Sequence, residues 1–138
     1  MGDLQSTCYL APIHEGAHWT LCVVCPSKNA CYWYDSISGR PTEDIKSMFA
    51  EALRTYRDLD GQRDQGGPKW FYPKCHQQPG NTECGYYVIS WMQTIISNGK
   101  TTGFGNYWKT EEPYSQDDLD STRDMLARYL LEHGSLAS

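Results

Sequence analysis

HWTLCVVCPSKNACYWYD, residues 18–35, is the stretch that decides how this chain folds. Two runs rich in β-branched and aromatic residues, 18–25 and 30–35, flank Pro26-Ser27-Lys28-Asn29, four residues with turn chemistry. The pattern predicts a β-hairpin. A four-residue loop sets Cys25 opposite Ala30 and Thr20 opposite Asp35. His18 then lies two residues from Thr20, on the same sheet face as Asp35 and diagonal to it, where a carboxylate can orient an imidazole. A slip of one residue would put the two on opposite faces, so the pairing depends on the register. Cys22 and Cys25 have knuckle-like spacing, but their parity differs and in a strand they face opposite sides. The pair therefore reads as strand, not as half of a zinc site.

Working outward, Cys8 to Ile13 is a short apolar run, expected as a strand ending in a loop at His14-Glu15-Gly16-Ala17. Ser38-Gly39-Arg40-Pro41 breaks the pattern. Thr42 can then cap a helix on which Ile45, Met48, Phe49, Ala52, Leu53 and Tyr56 recur at helical spacing. Residues 58–69 are polar and Gly-rich, a loop, and Trp70 to Pro73 reads as a short strand. From Cys84, the positions Val88, Trp91, Met92, Ile95 and Ile96 describe an apolar helix face, stopped at Asn98-Gly99. Thr101 to Pro113 is an irregular aromatic loop. Ser115 with Asp118 approximates a capping box for a last helix, whose Leu119, Met125, Leu126, Tyr129 and Leu130 are expected to face the core. No repeat or linker divides the chain, so residues 1–138 are read as one domain.

Composition narrows the function. The chain has 138 residues, 39% of them hydrophobic, with no apolar run long enough for a membrane span and no apolar segment near Met1. Net charge is -5 and the 12 Lys+Arg are scattered, against a nucleic-acid surface. The expectation is an intracellular monomer without nucleic-acid or membrane partners. Its six cysteines are expected to be reduced, most of them small buried hydrophobes. Ten Tyr and five Trp exceed the needs of a small core, so some are expected to line a groove.

The chemistry converges on QQPGNTECGYYVISW, residues 77–91. A cysteine at a helix N-terminus feels the macrodipole and the unpaired backbone N–H groups, and both favour the thiolate. Cys84 is thus expected as an exposed thiol on the first turn, with Gly85 admitting a substrate backbone. By position alone it serves equally well as a core residue. An imidazole held by a carboxylate can take a proton from a nearby thiol, the logic of a Cys-His-Asp triad. Acyl transfer further needs a donor for the oxyanion. Gln78, six residues before Cys84 across the Pro79-Gly80 bend, is one candidate and Gln77 another. His14 and His76 lie in loop-like contexts, and His133 near the C-terminus.

His18-Trp19, Tyr34-Asp35-Ser36 and Gln78-Pro79-Gly80-Asn81-Thr82-Glu83-Cys84-Gly85, in that order, resemble the ubiquitin-like-protein (SUMO) specific cysteine protease family. The resemblance covers roughly Cys8 to Ile96. The segment with Tyr114, Asp118, Leu119 and Arg123 resembles the plant transposon-associated branch. The resemblance implies an α+β, papain-like or adenain-like fold, in which a nucleophile helix packs on a small mixed sheet. It implies Cys84 as nucleophile, His18 as general base, Asp35 as its orienter, and Gln78 rather than Gln77 as oxyanion donor. Trp19 would wall a tunnel for a Gly-Gly C-terminus, with Gly85 beside it, and no metal or cofactor is implied. The partner is then a SUMO-like modifier and its conjugates. Only 17 residues precede His18, where the family carries much of its substrate platform. The expectation is the C-terminal portion of a catalytic domain with impaired activity. The alternative is a non-catalytic binding module or degenerate protease remnant.

Overall fold

The computed structural model describes residues 7–61, 63 and 66–134. The elements, in chain order, are β1 (Tyr9–Glu15), β2 (His18–Cys25), β3 (Ala30–Tyr34), α1 (Glu43–Leu59), β4 (Lys69–Phe71), α2 (Cys84–Asn98) and α3 (Gln116–His133). The four strands form one mixed sheet in the order β1-β2-β3-β4. β1 and β3 flank β2 antiparallel, and β4 joins β3 in parallel.

The hairpin has the register expected from its loop, with Cys25 opposite Ala30 and Leu21 opposite Tyr34, but the ladder ends there. Asp35 stands beyond β3, at the start of a turn, and does not pair with Thr20 as expected. Pro26 to Lys28 make one 3-10 turn closed by Asn29 in the left-handed region (φ 49°), where the N–H of Asn29 donates to the carbonyl of Pro26 at 3.1 Å. Asn tolerates this conformation better than most residues do. β1 runs two residues further than expected, because Glu15 pairs with His18 across a two-residue turn. Gly16 takes the positive φ (63°) that this turn requires. His14 consequently lies in a strand and not in a loop.

Strand alternation sorts the core into two layers. Leu21, Val23, Cys25 and Tyr34 pack on one face of the sheet with Tyr87, Val88, Trp91 and Ile95 of α2, Phe104, and Leu119 of α3. Cys22, Val24, Cys31 and Trp33 pack on the other face with Ile45, Phe49 and Leu53 of α1. Cys22 and Cys25 thus belong to different layers.

Helix α1 is capped as expected, its Thr42 hydroxyl accepting from the N–H of Ile45 at 3.3 Å. Its buried stripe is Ile45, Phe49, Leu53 and Arg57, whereas Met48 and Ala52 face solvent. A straight helix on a sheet buries a single row at i, i+4, narrower than the amphipathic face read from the sequence. Arg57 is fully buried and donates from Nη2 to Oδ1 of Asn29, tying α1 to the hairpin turn.

Helix α3 begins with the expected capping box, in which Ser115 accepts from the N–H of Asp118 and Asp118 from that of Ser115. Its burial stops early. Leu119 and Thr122 are buried, Met125 and Leu126 half-buried, but Tyr129 and Leu130 are exposed, against expectation. Among the described residues, the core ends before the last turns of this helix, which run past its edge.

Candidate active site

The hairpin register and a single tight turn build the acid end of the site. Beyond Tyr34 the chain turns at Asp35–Ser38, where the N–H of Ser38 donates to the Asp35 carbonyl at 3.1 Å. Asp35 Oδ1 lies 2.8 Å from His18 Nε2 and accepts from the N–H of Ile37 at 3.0 Å. Asp35 is only 8% exposed, so this carboxylate is held by fixed donors in place of water. Its other oxygen faces Gly39, where a Cβ would stand 2.6 Å from Oδ2. Glycine is therefore required at 39 to leave room for the carboxylate. In the sequence Gly39 marks only a break in the strand pattern; its position four residues past Asp35 is the available signal.

Bonding through Nε2 leaves His18 Nδ1 as the ring nitrogen able to meet a thiol. His18 is followed by Trp19, whose backbone N–H donates to Cys84 Sγ at 3.3 Å. Consecutive residues of β2 thus touch the carboxylate and the sulfur. Cys84 stands where expected, as the first residue of α2. It is 4% exposed, however, and not the open thiol that was expected. The indole of Trp19, 38% exposed and stacked on His14 at 4.4 Å, lies alongside the first turn. A Cβ on Gly85 would sit 3.9 Å from Trp19 Cδ1, an ordinary contact. No hydrogen bond joins His18 to Cys84.

Helix α2 has no side-chain N-cap: its N-cap is Glu83, whose carbonyl receives the N–H groups of Tyr86 and Tyr87. The N–H groups of Cys84 and Gly85 precede the helical ladder and are left for a ligand. An anion placed beside Cys84 would meet donors and the positive end of the helix together.

Gln78 is brought in by the segment 75–78, strapped between two neighbours. The N–H of Gln78 donates to the Ser36 carbonyl at 2.9 Å, and the N–H of Gln77 to the Glu111 carbonyl at 3.1 Å. His76 Nδ1 donates to the Glu112 carbonyl at 2.6 Å, and its ring stacks on Tyr114 at 4.0 Å. The Ser36 hydroxyl donates to Gln78 Oε1, which fixes which way the amide points. Gln78 Nε2 donates to the Gly80 carbonyl at 2.9 Å, leaving its second hydrogen uncommitted. Gln77 is occupied otherwise: its Nε2 reaches the carbonyls of Asp35 and Cys75 at 3.0 and 3.2 Å. Ser36, fully buried, is a second residue whose use the sequence did not disclose.

Beside the Asp35 turn lies a cavity of about 350 Å³ lined by Trp33, Arg40, Tyr72, Lys74, Gln77 and Glu111, among others. It backs the carboxylate and does not include Cys84.

The Ulp1 protease family, C-terminal catalytic domain, matches residues 5–135. NEDD8-specific protease 1 of Schizosaccharomyces pombe is 25% identical over 120 residues, covering 83% of this chain and 26% of that protein. Among solved structures, the C-terminal Ulp1 protease domain in complex with Smt3, the yeast ortholog of SUMO, superposes with a TM-score of 0.61. The two are 19% identical, and the match covers 92% of this chain and 53% of that one. The Chaetomium thermophilum Ulp1-like SUMO protease catalytic domain gives 0.53 at 23% identity, covering 83% of this chain and 42% of that one. The chain thus spans about half, or less, of the relatives it matches. With that match over nearly its whole length, and with the mixed sheet and the helix that starts at Cys84, the chain belongs to the Ulp1 protease family.

Proposed function

We propose that this chain is a thiol peptidase or isopeptidase acting after the C-terminal glycine of a ubiquitin-like modifier. The observation that carries the reading is the double contact of one dipeptide: His18 Nε2 on Asp35 at 2.8 Å, and the Trp19 N–H on Cys84 Sγ at 3.3 Å. A base oriented by a carboxylate and a thiol at a helix N-terminus are two of the parts acyl transfer needs.

His18 takes the thiol proton at Nδ1, since Nε2 is engaged by Asp35. The Cys84 sulfur attacks the glycyl carbonyl carbon. The developing oxyanion receives the uncommitted hydrogen of Gln78 Nε2 and a backbone N–H of the first turn of α2. His18 then protonates the leaving amine, and the C–N bond breaks to leave a thioester on Cys84. Water, deprotonated by His18, hydrolyses that thioester and releases the modifier with its C-terminal carboxylate. Trp19 and Gly85 shape the slot for the glycyl tail. A thiol only 4% exposed requires the groups around it to part as the tail enters.

SUMO and NEDD8, each carrying a C-terminal glycyl electrophile, test the reading. The expected result is a covalent adduct at Cys84 with at least one of them, abolished by Cys84→Ala and strongly slowed by His18→Ala. The buried thiol specifically favours a second reading, a binding module that keeps the shape of the site without turnover. Binding of a modifier without adduct, and without hydrolysis of a small Gly-Gly ester, would select that reading and reject the first.

A further inference from the structure

A second pair of thiols lies away from Cys84. β1 begins with Tyr9 opposite Val24, so one residue earlier Cys8 falls opposite Cys25. The two Sγ atoms are 2.7 Å apart, and Cys8 Sγ also lies 3.5 Å from the Thr101 carbonyl. Directly opposed residues of antiparallel strands have Cα atoms about 4.5–5.5 Å apart, within the span a disulfide bridges. The two thiols are not equivalent. Cys25 is fully buried, whereas Cys8 is only half-buried.

We infer that Cys8 and Cys25 form a peroxide-oxidisable dithiol, a modification site separate from the proposed nucleophile. Cys8 is the attacking thiol. The hydrogen bond from Cys25 lowers its pKa, helped by the charge of Lys28, while the same bond and burial raise that of Cys25. The Cys8 thiolate attacks one oxygen of hydrogen peroxide, the O–O bond breaks, and a sulfenic acid and hydroxide result. The Cys25 sulfur then attacks the Cys8 sulfur. The sulfenic oxygen leaves with the Cys25 proton as water, and the S–S bond forms. Overall, two thiols and one peroxide give one disulfide and two waters.

The consequence is mechanical, not catalytic. Cys25 ends β2 and His18 begins it, so the pair lies seven residue steps, roughly 23 Å at about 3.3 Å per residue, from the imidazole. The bond would tie β1, which among the described residues is an edge strand paired with β2, across 17 residues of chain. Such a closure restricts the unfolded chain and raises stability. Cys22 and Cys31 provide an internal comparison on the opposite face of the sheet. They too are close enough for a thiol hydrogen bond, but both are fully buried and shielded from peroxide.

The test treats the full chain with a modest excess of hydrogen peroxide, blocks remaining thiols, and maps peptides by mass spectrometry. The expected product is a dithiothreitol-reversible peptide joining Cys8 to Cys25, two hydrogens lighter than its parts, with Tm raised by several degrees. The link should persist in Cys84→Ala, which separates it from chemistry at the proposed active site. Cys25→Ser should leave Cys8 as a sulfenic or sulfinic acid. Should that variant not fold, Cys8→Ser, at a half-exposed position, should abolish the link and the Tm rise. Cys8 and Cys25 both remaining reduced while other thiols oxidise would overturn the inference. So would linkage of Cys8 to other cysteines as often as to Cys25.

Discussion

Asp35 depends on its neighbours' small size as much as on their bonds. Gly39→Ala would place a methyl 2.6 Å from Oδ2, and the carboxylate must rotate away from His18. Peptidase activity should fall about tenfold or more with the fold intact, since geometry errors of this kind act on the rate. Circular dichroism alongside turnover of a small Gly-Gly ester checks both halves of the claim. Gln78→Ala removes the proposed oxyanion donor, and kcat should drop by about 10²–10³ with KM little changed. Ser36→Ala leaves Gln78 in place but frees its amide to flip, because the hydroxyl that holds Oε1 is gone. Its loss of kcat should be smaller than that of Gln78→Ala, and the double variant should be no worse than Gln78→Ala alone. Additive losses would show that Ser36 does not act through Gln78. Cys84 is buried and Cys8 half-buried, so simple alkylation does not single out the proposed nucleophile.

At the scale of elements, caps and stripes behave locally while packing limits follow from neighbours. Thr42 gives α1 its first-turn acceptor, and Thr42→Ala should cost about 1 kcal/mol in denaturant melts. Phe49→Ala empties the layer where Phe49 meets Trp70 edge-on at 5.8 Å, and should cost about 3–5 kcal/mol. Leu131→Ser, by contrast, alters a residue 83% exposed on the overhanging end of α3. It should stay within about 0.5 kcal/mol of wild type, despite the apolar residue lost. The loop 101–113 shows how much an irregular segment can contribute. Phe104 is buried against the sheet, its carbonyl accepts from the Tyr34 hydroxyl at 2.5 Å, and Trp108 meets the Tyr34 ring edge-on at 5.2 Å.

For the molecule as a whole, the strap carrying Gln78 couples the site to alkaline pH. Burial pushes Cys75 up to about 12 and Tyr114 up to about 12. In the unfolded chain they ionise near about 8.5 and about 10. Above those values the unfolded state has released protons that the native state retains, so stability falls as pH rises toward about 12. Denaturant melts between pH 8 and 11 should show the native state losing stability steadily, with no matching loss between pH 6 and 8 from these groups. Because Cys75 reaches the Asp35 carbonyl and Tyr114 stacks on His76, activity should fail at the alkaline end before the helices melt.

The sequence alone determined whatever depends on short-range periodicity: the hairpin and its register, the two capped helices, the cysteine at the head of α2, and the residues carrying the family resemblance. Strand parity even separated Cys22 from Cys25 correctly, since alternation is a property of the backbone. Only the tertiary structure decided which apolar residues find a partner, leaving Met48, Tyr129 and Leu130 in solvent while Arg57 and Ser36 went inside. It also decided that Cys84 is buried against the Trp19 N–H, that Gly39 makes room for a carboxylate, and that Cys8 meets Cys25. These are contacts between segments 17 or more residues apart, or consequences of one tight turn. Each depends on where layers end and loops cross, which no local pattern encodes.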